Sequence, residues 1–159
     1  MTLDKQRTLA LILKQLQADI TIAAQAVEVA RDTATHKDCL GSSKYETMGT
    51  EASYLAKGQG ERLLELERAL AYFKQSKPQA SSTAALLSLI TLEDDFGELR
   101  LFLLAADAGG LTVDYQHQTI TIITPKSPLG RKLLSKTEGD SFELNIAGTL
   151  KSYVIINIQ

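Results

Sequence analysis

Residues 9–34, "LALILKQLQADITIAAQAVEVARDTA", decide the fold. Their apolar positions step by alternating fours and threes through Leu9, Leu13, Leu16, Ile20, Ala23, Val27, Ala30 and Ala34. That is a sustained heptad seam, the pattern of a long helix packed along one stripe. No Gly or Pro interrupts the chain between Met1 and Leu40. The seam narrows from Leu and Ile to Ala toward residue 34, so a partner helix approaches most closely there. Residues 52–73 repeat the spacing with Ala52, Ala56, Gln59, Leu63, Leu66, Leu70 and Phe73, and their small residues lie at the other end. Opposed tapers predict two antiparallel helices folded on each other, with a tip around residues 38–50 and a reach of about 50 Å. An intermolecular coiled coil is the alternative arrangement of the same seam.

The tip reads "HKDCLGSSKYETMGTEASY" (residues 36–54). Gly41 suits the position after a helix end, and Ser43-Lys44-Tyr45-Glu46 has the spacing of a capping box that restarts the second helix. Gly49, Gly58 and Gly60 each weaken a helix by roughly 1 kcal/mol against Ala, so the tip-proximal part of the second helix is expected to be irregular.

Character changes near "KQSKPQASS", residues 74–82. The expected organisation is a helical hairpin over 1–76, a linker over 77–82 and a second domain over 83–159. In the latter the period is two. "LLSLITLEDDFGELRLFLLAA" reads as two strands about an Asp94-Asp95-Phe96-Gly97 turn, and "TVDYQHQTITIIT" as more strand interrupted near Gln116-His117-Gln118. "SFELNI", Gly148 and "KSYVIINI" read as a closing hairpin. Four to six strands and one short helix predict an α+β domain built on an antiparallel sheet.

That short helix lies in "TPKSPLGRKLLSKTEGD", residues 124–140. Ser127 is a good N-cap, and Pro128 suits the first helical position, where a missing N–H costs nothing. Leu129, Leu133 and Leu134 fall on one face, with Leu133 and Leu134 expected in the core; Arg131, Lys132 and Lys136 fall on the other. Gly139 lets the chain leave for the next strand.

Composition bounds the rest. The chain has 159 residues, 44% hydrophobic and 23% charged, which is globular rather than disordered. A net charge of −2 and a pI near 5.7 argue against a protein held to nucleic acid mainly by its own charge. Lys and Arg number 11 against 10 acids in residues 1–79, and 6 against 9 beyond, so the sheet half is the acidic one. The single cysteine, Cys39, excludes an internal disulfide. With no apolar run near the ~20 residues of a membrane span, and no signal-peptide core in "MTLDKQRTLA", a soluble, cytoplasmic protein is expected; the helices folding back within one chain go with a monomer.

A helical hairpin followed by a small sheet domain carrying "ITPKSPLGRKLLSKTEGD" resembles the Gre-type transcript cleavage and elongation factors (GreA/GreB). The similarity rests on Ser127-Pro128-Leu129-Gly130-Arg131, the leucine pair, Gly139-Asp140, the terminal β-hairpin, Tyr45 and the Glu61–Leu70 run. The resemblance implies an FKBP-like C-terminal domain and a coiled coil that enters the secondary channel of bacterial RNA polymerase. It implies no enzyme activity of the chain's own. Ser127, Pro128, Leu129 and Arg131 would contact the channel rim; nascent RNA would be met only indirectly at its 3′ end, with no strong independent DNA binding. In such factors two tip acids help to hold a Mg2+ in the polymerase's active centre, where carboxylates suit a hard cation. Asp38 falls at the first of these positions. Gly41 occupies the second, a departure that leaves open a non-cleaving, channel-binding regulator of transcription. Glu46 and Glu51 are substitute tip carboxylates, although the Ser-x-x-Glu spacing already accounts for Glu46.

Other chemistry is weaker. His36 and Cys39 have metal-like spacing but lack a second pair of ligands. Asp94 and Asp95 read as turn formers, and His117 as a surface residue. A prolyl isomerase, suggested only by the fold implied for the C-terminal domain, and a coiled-coil scaffold are the readings from other functional classes.

Overall fold

A computed structural model describes residues 3–35 and 43–159, and of 43–46 the backbone alone. Two long helices come first, α1 (Lys5–Thr35) and α2 (Ser43–Gln75), of 31 and 33 residues. Asp4 caps α1: its Oδ1 accepts from the N–H groups of Gln6 and Arg7 at 2.9 and 3.2 Å. The chain forms two compact units, one of residues 14–71, the other of residues 1–13 with 72–159.

In the first unit α1 and α2 lie side by side. Leu16, Ala23, Val27 and Ala30 of α1 are buried, as are Ala52, Leu66 and Ala69 of α2. Ile20 and Ala34, with Ala56, Gln59, Leu63 and Leu70, are half-buried, so both predicted stripes face inward. The expected irregularity of α2 is not present: Gly49, Gly58 and Gly60 all lie inside one continuous helix. The neighbouring stripe holds them there, since tertiary packing overrides a propensity cost of this size.

In the second unit six strands form one sheet: β1 (Leu89–Asp94), β2 (Leu99–Leu104), β3 (Thr112–Tyr115), β4 (Gln118–Ile123), β5 (Ser141–Ile146) and β6 (Thr149–Ile158). Their order is β3-β4-β2-β1-β6-β5. The expected antiparallel pairing holds except between β2 and β4, which run parallel. The β3–β4 hairpin inserts β4 beside β2 and leaves β3 at the edge. A period of two cannot distinguish that arrangement from a meander. The Asp94–Gly97 turn forms as read, with Asp94 Oδ1 accepting from the N–H groups of Phe96 and Glu98 at 3.0 Å each. The interruption near Gln116 is a two-residue turn, with Gln116 and His117 at φ +49° and +65°. Positive φ at both positions matches the strand twist of a type I′ hairpin.

One face of the sheet buries Ile90, Leu92, Leu104, Ile123, Phe142, Leu144, Tyr153 and Ile155 together with Leu133 of the short helix α3 (Pro128–Leu133). Phe142 and Tyr153, directly paired across β5 and β6, stack with centroids 5.6 Å apart. Leu134 corrects the sequence reading: it is 45% exposed. It is the C-cap of α3 with extended ψ, so the helical face that carries Leu133 inward has already ended. Thr8 and Ile12 are fully buried, off the predicted seam. The start of α1 therefore buries more than one stripe, and Ala106 N–H donates to Tyr72 Oη at 3.1 Å within the same unit.

Candidate functional site

The corner at residues 124–140 is built by close backbone approach. Ser127 Oγ donates to Thr124 O at 2.8 Å and accepts from Gly130 N–H at 3.0 Å, and Ser127 N–H also donates to Thr124 O at 2.9 Å. The first turn of α3 thus folds directly onto the carbonyl of Thr124. A Cβ on Gly130 would lie 2.0 Å from that oxygen and 2.7 Å from its carbon. Only glycine fits. The chain after α3 continues the clamp: Lys136 N–H donates to Leu133 O at 2.9 Å, Ala84 N–H to Lys136 O at 2.7 Å, and Ser135 N–H to Ala84 O at 2.8 Å.

The exit is equally fixed. Asp140 Oδ2 accepts from Thr137 N–H and Oγ1 at 2.8 and 3.1 Å, which holds its carboxyl below the usual aspartate range, first through the backbone bond. Gly139, at φ +85°, donates its N–H to Ile155 O at 2.8 Å. Glu138 Oε1 accepts from Ile158 N–H at 2.7 Å.

Of the predicted contact residues, Pro128 and Arg131 are exposed and one helical turn apart. Ser127 is half-buried with its hydroxyl engaged in the turn, and Leu129 is half-buried against the sheet core. Lys126, which the sequence did not single out, and Leu134, which it placed in the core, are exposed on either side. For Leu134 the missed signal was the shortness of the helix. A backbone corner tied by these bonds and presenting an apolar ring, an apolar side chain and two cations suits docking against a protein surface.

At the other predicted site, Glu51 is exposed on α2. Asp38, Gly41, His36 and Cys39 lie outside the described residues, as does the side chain of Glu46. Among the described residues no three His, Cys, Asp or Glu side chains come together as a metal site. Among the described residues Glu51 alone offers a carboxylate of the predicted set, and one carboxylate does not supply the six or so oxygens a magnesium ion requires. Asp94 stays in its turn, paired with Arg100 at 3.6 Å, and His117 is exposed. No helix among the described residues is long and apolar enough to cross a membrane.

No protein-family model matches the chain, and no curated protein matches it. Solved structures do. The transcription factor Gfh1 is 20% identical, with 94% of this chain and 92% of that one covered at a TM-score of 0.42. GreA factor homolog 1 (Gfh1) of Thermus thermophilus is 18% identical, with 96% and 93% covered at 0.37. The prokaryotic transcription elongation factor GreA/GreB from Nitrosomonas europaea is 16% identical, with 58% and 78% covered at 0.39.

Proposed function

We propose that this chain is a Gre-type regulator of transcript elongation that binds bacterial RNA polymerase without being an enzyme itself. The observation that carries the reading is the pairing of α1 with α2 along opposed tapering stripes, joined to a sheet unit that displays the Ser127–Arg131 corner. In this reading the hairpin enters the secondary channel and the corner grips its rim through Pro128, Arg131 and the outer part of Leu129, with Ser127 holding the turn in shape. Asp38, Glu46 and Glu51 are the carboxylates offered at the tip. Any magnesium ion in the cleavage reaction belongs to the polymerase's active centre, to which Asp38 would add one oxygen ligand.

Gly41 at the second acidic position supports a second reading, a channel-bound regulator that does not stimulate cleavage. One experiment separates the two. Core polymerase stalled in a backtracked complex is mixed with the chain. Shortened RNA that is lost in Asp38→Asn supports cleavage; slowed elongation without shortening supports occupation alone. Absence of any binding to polymerase removes both.

A further inference from the structure

The sheet face opposite α3 is not closed along its whole length. The register Glu93↔Leu99, Glu93↔Val154 and Ser141↔Val154 puts Leu99, Glu93, Val154 and Ser141 in one cross-strand row on that face. Ser152 and Glu143 form the next row, followed by Leu150 and Asn145. Leu99 and Leu150 are each 58% exposed, Ile156 45% and Val154 39%. Phe96, at the tip of the β1–β2 hairpin by the same end of the sheet, is 86% exposed. Its turn is rigid: besides the two bonds to Asp94, Asp95 Oδ2 accepts from Ser152 N–H of β6 at 2.8 Å. Single exposed apolar residues are ordinary, but Leu150, Val154 and Ile156 line one face of a single strand, β6, and such an alignment marks an interaction surface.

The charges on this face specify the occupant. Glu93 and Glu143 form no ion pair among the described residues, and the nearby Arg100 is engaged by Asp94 and Glu98 at 3.6 and 3.5 Å. The exposed residues belong to a face, whereas the free strand edges are β3 and β5, so an added strand is not the complement. We propose that the β1-β6-β5 end of this face docks a basic amphipathic helix of a partner protein, its apolar stripe laid along β6 on Leu150, Val154 and Ile156 and its Lys or Arg flanks on Glu93 of β1 and Glu143 of β5. The proposal does not depend on polymerase binding.

The test uses the full chain and labelled peptides of about 18 residues, five helical turns. One peptide carries leucines at i, i+3, i+4 and i+7 with lysines elsewhere; one carries glutamates in place of the lysines; one has the lysine composition in scrambled order. The ordered lysine peptide binds, shifts the NMR signals of Val154 and Leu150, and weakens about tenfold or more with Leu150→Ser or Ile156→Ser, as for a central apolar anchor. Glu93→Gln and Glu143→Gln lower its salt dependence. Both serine positions are exposed, so the fold survives them, which unchanged thermal melting verifies. Equal binding of the glutamate or scrambled peptide overturns the proposal, as does binding unchanged by Leu150→Ser, or none. A dimer in sedimentation that Leu150→Ser dissolves overturns it in favour of a second copy.

Discussion

Gly130→Ala is the sharpest perturbation the structure offers. The added methyl would sit 2.0 Å from Thr124 O, well inside van der Waals contact, and 3.0 Å from Ser127 Oγ. Both obstacles belong to the turn itself, so relief requires moving the backbone of residues 124–127 away from α3. That movement breaks the Gly130 N–H to Ser127 Oγ bond and strains the two bonds to Thr124 O. Overpacking of a rigid site costs about 1–3 kcal/mol, and each hydrogen bond lost adds ~1 kcal/mol, so the sheet unit should lose about 3 kcal/mol or more. Urea unfolding followed through the methyl NMR signals of Leu133 and Ile155 reads this unit separately from the helices. Under the proposed function, binding to polymerase should weaken in parallel, because Pro128 and Arg131 ride on the displaced turn. A loss below about 0.5 kcal/mol would refute the close approach as the reason for glycine here.

Gly58→Ala and Gly60→Ala are the counterpart: nothing lies within 4 Å of a Cβ at either site, so each should stabilise α2 by roughly 1 kcal/mol in the same assay, read from helix signals. Leu133→Ala removes a fully buried side chain and should cost about 2–5 kcal/mol, whereas Leu134→Ala should cost under about 1 kcal/mol in thermal or urea unfolding. Asp140 has a folded-state pKa below its unfolded one, so its contribution is full above the ordinary aspartate range and is lost as pH falls through the lowered value. Comparing stability against pH from about 6 to 2 should show a steeper acid loss in the wild type than in Asp140→Asn. Replacing Gln116-His117 by Asn-Gly relieves two positive-φ residues and should raise stability by about 1 kcal/mol in urea titration.

Much of this fold is legible in the chain because periodicity reports burial directly. The seam from Leu9 to Ala34 and its partner from Ala52 to Phe73 turn inward as the spacing dictates, and the Asp94–Gly97 turn forms where its residues place it. What escaped reading depends on distant contacts. The run Leu9-Ala10-Leu11-Ile12-Leu13 is apolar all round, which signals burial on more than one side, yet what covers Thr8 and Ile12 is set by tertiary packing. The parallel β2–β4 pairing leaves no mark on a period of two. Leu134 looks helical by spacing, but α3 ends one residue earlier because Leu134 takes an extended ψ. At the candidate site the N-cap and proline were readable. The reason for Gly130 was not, since it lies in the carbonyl of Thr124, six positions back along the chain.

A photo-crosslinker placed at the exposed Glu51 on α2 tests the central claim most directly, with purified core polymerase and a backtracked RNA. Hairpin entry predicts crosslinks to polymerase segments beside the RNA 3′ end, competed away by a known secondary-channel binder. Crosslinks only to another copy of the chain, or polymerase binding with no Glu51 crosslink near the RNA, would contradict it.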